Sequence, residues 1–248
     1  MPIWRPRAAS SDPAAHRDKR AGYGDNEIEE GSGLADRCAW YLAGYPRVAP
    51  RDAATGAFLD RDGVIVHDTG YLSDPAKVAL VPGTAALIRA ANAVGVPVLV
   101  VTNQSGIDRG LLDWVDFAAV EARIADLLAA AGATTDATAA CPFHPDHTAG
   151  YDKTHARWRK PGPGMITALA DRLKIDLPGS WLIGDQLWDI EAARNAGLAG
   201  GILTGDPIRP DRALELDNLA QSGFTPHAAR SADAAMALLK PTILFDNW

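Results

Sequence analysis

Two aspartates two residues apart, in FLDRDG at residues 58–63, are the first feature of this chain with chemical potential. In extended backbone, side chains at i and i+2 project to the same side, roughly 6–7 Å apart. That gap can straddle one phosphoryl group, with Asp60 on the phosphorus side and Asp62 near the leaving oxygen. Gly63 allows the backbone to turn away sharply. An acidic Asp-Gly turn is the plain alternative.

Three further stretches change the weight of that pair. VVTNQSG (100–106) offers the Thr102 hydroxyl, the Asn103 amide and backbone N–H groups to phosphoryl oxygens. RKPGPGM (159–165) brings Lys160 to the front of a helix, and LIGDQLWDIEAA (182–193) carries Asp185 with Asp189 four residues on. Each has an ordinary reading on its own: a cap, a surface lysine, an acid favoured by the dipole at a helix N-terminus. Together, at the ends of successive strands, they form a specific set.

The elements that must position them alternate along the chain. Apolar patterning predicts strand ends or strands at 57–59, 96–101, 136–140, 180–184 and 200–205. Helices are predicted at 83–94, 116–132, 164–175 and 189–198, two of them closing on Gly95 and Gly132. VPVLVV (96–101) is continuously apolar, as in a strand buried on both faces. The alternation predicts an α/β fold, a Rossmann-like three-layer α/β/α arrangement around a central parallel sheet. Ligands of such sheets bind beyond the carboxyl ends of the strands, where these polar residues gather. Residues 1–33 lack periodicity and read as an arm, with Trp4 as an anchor, and residues 34–45 read as a short helix. The expected division is therefore 1–50 for arm and helix and 51–248 for the main domain.

Bulk properties narrow the partners. The net charge is -7, from 31 acidic against 24 basic residues, so no overall basic surface invites nucleic acid. No stretch approaches the length of a transmembrane span, and the basic N-terminus has no apolar run behind it to make a secretory signal. Two cysteines, Cys38 and Cys141, suit a reducing compartment. The expectation is a cytoplasmic, monomeric protein with a small anionic ligand, no membrane partner and no nucleic-acid partner.

FLDRDGVI, VVTNQSGIDRG, RKPGPGM and GDQLWDIEAA, spread over about residues 57–205, resemble the haloacid dehalogenase (HAD) superfamily. TNQSG-x-x-RG and RKP-x-PGM narrow the resemblance to its histidinol-phosphate and heptose-bisphosphate phosphatase branch. The resemblance implies a HAD-like fold and phosphomonoester hydrolysis through an aspartyl-phosphate. It implies Asp60 as nucleophile, Asp62 as general acid/base, and Thr102 and Lys160 as phosphoryl-binding groups. Asp60, the Asp62 carbonyl and Asp185 would hold Mg²⁺, with Asp189 bracing Lys160 or a metal-bound water. Gln186 departs from the lysine that relatives often carry after the metal-binding aspartate. The short connections leave no room for a large cap domain, so specificity falls to loops 64–75, 104–115 and 141–159. Arg109 and Arg159, and less so Arg157, are candidates for a second anionic group, alongside Asn103 at the first. D-glycero-D-manno-heptose 1,7-bisphosphate is the implied substrate and histidinol phosphate the alternative. A catalytically idle binding protein on the same fold is the alternative of another class.

The stretch CPFHPDHTAGYDKTHARWRKP (141–161) raises a metal question of its own. Many members of this branch hold zinc through Cys-x-His and Cys-x-Cys at its two ends. Here Cys141 remains, while Phe143, Ala156 and Trp158 occupy the other ligand positions. Cys141, His144, His147 and His155 offer a substitute Cys/His set. The reading preferred here has no zinc, with Phe143 and Trp158 packing to close the loop instead.

Overall fold

Neighbouring residues of the central strands belong to different apolar cores. The computed structural model describes residues 54–205, 208 and 210–239, and the backbone of two short strands, β1 (Ile28–Glu29) and β2 (Ala39–Tyr41). Along β3 (Ala54–Leu59), Ala57 and Leu59 join one cluster and Phe58 the other. Along β4 (Val98–Asn103), Val98 and Val100 divide from Leu99 and Val101 in the same way. Side chains alternate across a strand, so both faces of the sheet are buried and both must be covered.

The remaining strands and helices follow in chain order: α1 (Thr84–Ala93), α2 (Trp114–Ala130), β5 (Ala137–Cys141), α3 (Lys153–Trp158), α4 (Gly164–Leu173), β6 (Ile175–Gly184), α5 (Leu187–Ala196), β7 (Gly200–Thr204), α6 (Pro210–Asp217), β8 (Thr225–Ala229) and α7 (Ala232–Leu239). The sheet order is β1-β2-β5-β4-β3-β6-β7-β8. The six strands from β5 to β8 are parallel, and β2 and β1 extend the β5 edge antiparallel. Leu87 and Ile88 of α1, Val120 and Ile124 of α2 and Leu239 of α7 fill one core. Met165 and Leu169 of α4 and Ile190 of α5 fill the other.

Topology explains where a ligand crevice opens. The chain steps from β3 to β4 to β5 with α1 and α2 over one face. It then returns to β6 on the other side of β3 and steps outward with α4 and α5 over the second face. Right-handed crossovers require this change of face when the direction reverses. The reversal makes β3 the switch point, and its carboxyl end, where Asp60 lies, is the expected crevice. This is the three-layer α/β/α fold, and among the described residues the connections at that end carry only a 3₁₀ turn (Pro75–Lys77) and the short α3.

The N-terminal segment differs from the sequence reading. Ala39–Tyr41, expected within a helix at 34–45, is a strand paired with Thr138–Ala140 of β5. An uncovered β5 edge presents unpaired backbone groups, and pairing with them outweighs the local helical pattern. Apart from these strands, the expected arm, its Trp4 anchor and the rest of 34–45 lie outside the described residues. Beyond residue 205 the structure adds α6, β8 and α7, which the strand–helix reading does not reach. Among the described residues no helix is long and apolar enough to cross a membrane.

Candidate active site

Asp60 is the first residue past β3, and its backbone N–H donates to the Ile183 carbonyl of β6 (2.9 Å). Its Oδ1 accepts from the Arg61 N–H (2.7 Å) and lies 3.0 Å from Lys160 Nζ. Lys160 is 2% exposed, and its ammonium also donates to the Val101 carbonyl (2.8 Å) and meets Asp189 Oδ1 at 2.7 Å. A buried ammonium needs such partners, and three surround it. The main chain of Lys160 is held by Asn103, whose Nδ2 donates to the Lys160 carbonyl (3.2 Å) and whose Oδ1 accepts its N–H (3.1 Å). The side chain of Asn103 thus engages the protein itself at both ends.

Asp185 follows β6 directly, and Asp189 lies in the first turn of α5. Carboxylate oxygens of Asp60, Asp185 and Asp189 lie within 4.8 Å of one another. Such crowding is costly without compensation. Burial, above all, and the neighbouring Asp189 and Asp62 charges push the Asp60 carboxyl up to about 7 against the pull of Lys160. Burial and then Asp60 push Asp185 up to about 6. Asp189 is fully buried; its Oδ2 accepts the Gln186 N–H (3.0 Å), while its Oδ1 receives no well-directed hydrogen bond despite the close Lys160 charge. A cluster that offers only carboxylate oxygens suits a hard divalent cation. The carboxylates grouped in space are therefore Asp60, Asp185 and Asp189. The side chain of Asp62 is turned elsewhere.

Two glycines let this cluster form. A Cβ on Gly63 (φ +81°) would lie 2.5 Å from Asp185 Oδ2, and one on Gly184 would lie 2.2 Å from Asp189 Cβ. Gly63 thus serves both the turn and the close approach of the two loops.

Asp62 faces a different set of partners. Arg61 Nε and Nη2 grip its two oxygens at 3.1 and 2.9 Å, and Gln104 Nε2 donates to its Oδ2 (2.8 Å). The Gln104 amide also donates to Thr102 Oγ1 (2.7 Å), tying Asp62 to the end of β4. Arg61, Gln104 and Arg212 escape the sequence reading. Arg212 of α6 donates to the Gln186 side chain (2.6 Å) and the Asp185 carbonyl (3.1 Å), and Gln186 Nε2 donates to Asp185 Oδ2 (2.8 Å). Arg61 and Gln104 lie inside the recognised motifs, whereas nothing in the sequence near residue 212 signals a role.

The remaining candidates gather around His144. Arg109 Nη2 lies 3.3 Å from His144 Nε2, and its guanidinium stacks over Tyr71 at 5.5 Å. Arg159 donates to the Phe143 carbonyl (3.0 Å), while Arg157 is exposed. Burial first, then Arg159 and Arg109, hold the His144 imidazole below its usual range. Cys141 is buried at the end of β5, and the buried His155 packs edge-on against Phe143 (4.6 Å) and stacks with Tyr151. His155 Nδ1 meets Asp152 Oδ1 at 2.8 Å in the cap of α3. Trp158 packs against the apolar cluster that contains Phe143. Phe143 thus packs against His155, an imidazole that the sequence offered only as one member of a substitute Cys/His set.

Comparison with known proteins bears on this geometry. A HAD-hydrolase-like family model matches residues 157–221. The D-glycero-beta-D-manno-heptose-1,7-bisphosphate 7-phosphatase of Mesorhizobium japonicum is 46% identical over 180 residues, covering 65% of this chain and 79% of the relative. The chain belongs to the histidinol-phosphate and heptose-bisphosphate phosphatase branch of the HAD superfamily. The D-glycero-alpha-D-manno-heptose-1,7-bisphosphate 7-phosphatase of Burkholderia mallei is 42% identical over 149 residues, 60% of this chain and 79% of the relative. Among solved structures, a HAD-like phosphatase from Mesorhizobium loti superposes with a TM-score of 0.68 at 37% identity, over 83% of this chain and 93% of that one. The D,D-heptose 1,7-bisphosphate phosphatase of B. bronchiseptica, complexed with magnesium and phosphate, gives 0.63 at 30% identity, over 75% and 98%. The chain is a HAD-type phosphatase.

Proposed function

We propose that this enzyme removes one phosphate from D-glycero-D-manno-heptose 1,7-bisphosphate, in the presence of Mg²⁺, through an aspartyl-phosphate on Asp60. The observation that carries the reading is the buried group of Asp60, Lys160, Asp185 and Asp189 at the switch point of the sheet. The relatives' names supply the sugar, and they include both anomers.

Phosphate monoesters hydrolyse extremely slowly without help, so positioning and charge stabilisation must do most of the work. Asp60 attacks phosphorus in line, splitting one hard step into two. Asp62 gives a proton to the leaving sugar oxygen as the P–O bond breaks, then takes one from the water that releases phosphate. Lys160 offsets negative charge on the transferring group while holding Asp60 in line, and the Thr102 hydroxyl binds a phosphoryl oxygen. Bound Mg²⁺, held by Asp60, Asp185 and the Asp62 carbonyl, supplies charge neutralisation for phosphate among the carboxylates. Asp189 braces Lys160. Arg109 and Arg159, beside His144, receive the second phosphate, which is the remaining anionic group of a bisphosphate. Asn103 acts by fixing the Lys160 main chain. Residues 51–248 make up the catalytic domain and 1–50 an appendage to it. The protein is a cytoplasmic monomer without bound zinc.

The experiment is phosphate release from both heptose bisphosphate anomers, histidinol phosphate and a 3′-phosphorylated oligonucleotide, with Mg²⁺ and with chelator. Turnover of a heptose bisphosphate that chelation abolishes is expected. Preference for histidinol phosphate would overturn the sugar assignment, and inactivity on the whole panel would favour an idle binding protein.

A further inference from the structure

Glu121 is a charged residue on the buried face of α2, between Val120 and Ile124, and is itself 5% exposed. Its Oε1 accepts from Arg61 Nη1 (3.3 Å) and its Oε2 from the Thr138 hydroxyl of β5 (3.1 Å). Arg61 is 1% exposed, and its guanidinium lies 5.4 Å over the Phe117 ring. The remaining guanidinium edge grips both oxygens of Asp62, whose side chain is 21% exposed at the crevice. A chain of contacts therefore runs from the sheet and α2, through two buried charges, to one carboxyl at the site.

Stability does not account for this arrangement. Apolar residues of similar volume in place of a buried ion pair are often as stabilising or more so. Direction is what the charges add. A bidentate guanidinium fixes the plane of a carboxyl as well as its position. Arg61 has a long side chain and needs a second fixed partner to hold that plane; Glu121, itself anchored by Thr138, is that partner. As Asp62 passes its proton to the leaving oxygen, it becomes a carboxylate and its attraction to Arg61 grows. Stabilisation that grows along the reaction lowers the barrier rather than only tightening binding.

We propose that Glu121 is a positioning residue for leaving-group protonation, acting through Arg61 to aim the Asp62 carboxyl at the departing oxygen. The inference rests on the reading of Asp62 as general acid/base. It predicts sensitivity to the leaving group, because a sugar alkoxide needs the proton and a p-nitrophenolate does not.

The test compares kcat/KM, which reports the steps through aspartyl-phosphate formation, for heptose bisphosphate and for p-nitrophenyl phosphate. Glu121→Gln should lose about 10- to 100-fold on the sugar phosphate and less than about threefold on the aryl phosphate. Thr138→Val should show the same selectivity more weakly, which guards against poor folding of the first variant; thermal unfolding of both is measured alongside. Asp62→Asn is the reference. If Asp62→Asn is selective for the sugar phosphate and folded Glu121→Gln loses both activities equally, or neither, the positioning role is overturned while the acid role stands. If Asp62→Asn itself loses both equally, the acid role fails and the positioning role with it.

Discussion

Replacing Asp60 by Asn should abolish turnover and, with metal withheld, make the protein more stable above neutral pH. The Asp60 carboxyl is raised from 3.8 to about 7, chiefly by burial. A raised acid costs stability only where it is ionised in the fold. The cost is absent below its unfolded value of 3.8, grows through the interval and is complete above about 7. At 1.36 kcal/mol per unit, that rise amounts to about 4 kcal/mol. Asparagine retains the oxygen that accepts the Arg61 N–H, and Lys160 retains Asp189 and the Val101 carbonyl. The Asp189 charge that contributes to the rise remains in the variant, so a gain of about 2–4 kcal/mol near pH 8 is expected. The assay is urea unfolding of both proteins in chelator at intervals from about pH 4 to pH 8. The two curves should nearly coincide at the acid end and separate as pH rises. A variant less stable than the parent near pH 8, or a gap independent of pH, would refute the account of the crowded carboxylates. Retained turnover in the variant would sink the nucleophile assignment.

Three other substitutions probe the surroundings of the site. Gly63→Ala places a Cβ 2.5 Å from Asp185 Oδ2 at a φ of +81°; it should cost about 1–2 kcal/mol in unfolding experiments and at least about tenfold in kcat. Arg212→Ala frees the Gln186 amide that steadies Asp185, and should weaken Mn²⁺ binding about tenfold in an EPR titration. Unchanged affinity would confine Arg212 to docking α6. Phe143→Ala removes a ring that is 2% exposed and should cost about 3–5 kcal/mol in chemical denaturation. Metal analysis of the parent protein should find no stoichiometric zinc; finding it would overturn the aromatic closure of the 141–159 loop.

The sequence by itself determines the α/β alternation, because burial on both faces leaves continuous apolar runs such as 98–101, whose residues divide between the two cores. It also carries Asp60, Thr102 and Asp185 to the strand ends and Lys160 to the front of α4, since local motifs state which element each residue adjoins. Pairing between distant segments leaves no comparable trace. Ala39–Tyr41 reads as helix in isolation and becomes strand because the β5 edge is open to it. Glu121 is legible only as a charge on an apolar helical face; that it meets Arg61, 60 residues away, depends on how α2 lies against the sheet. Asp189 and Asp62 show the same division. Their spacing from Asp185 and Asp60 is written in the chain. That the Asp189 carboxylate joins the buried cluster while Asp62 turns to Arg61 and Gln104 is decided by tertiary structure, because only there do the ends of β3, β4 and β6 converge and set which charges face each other.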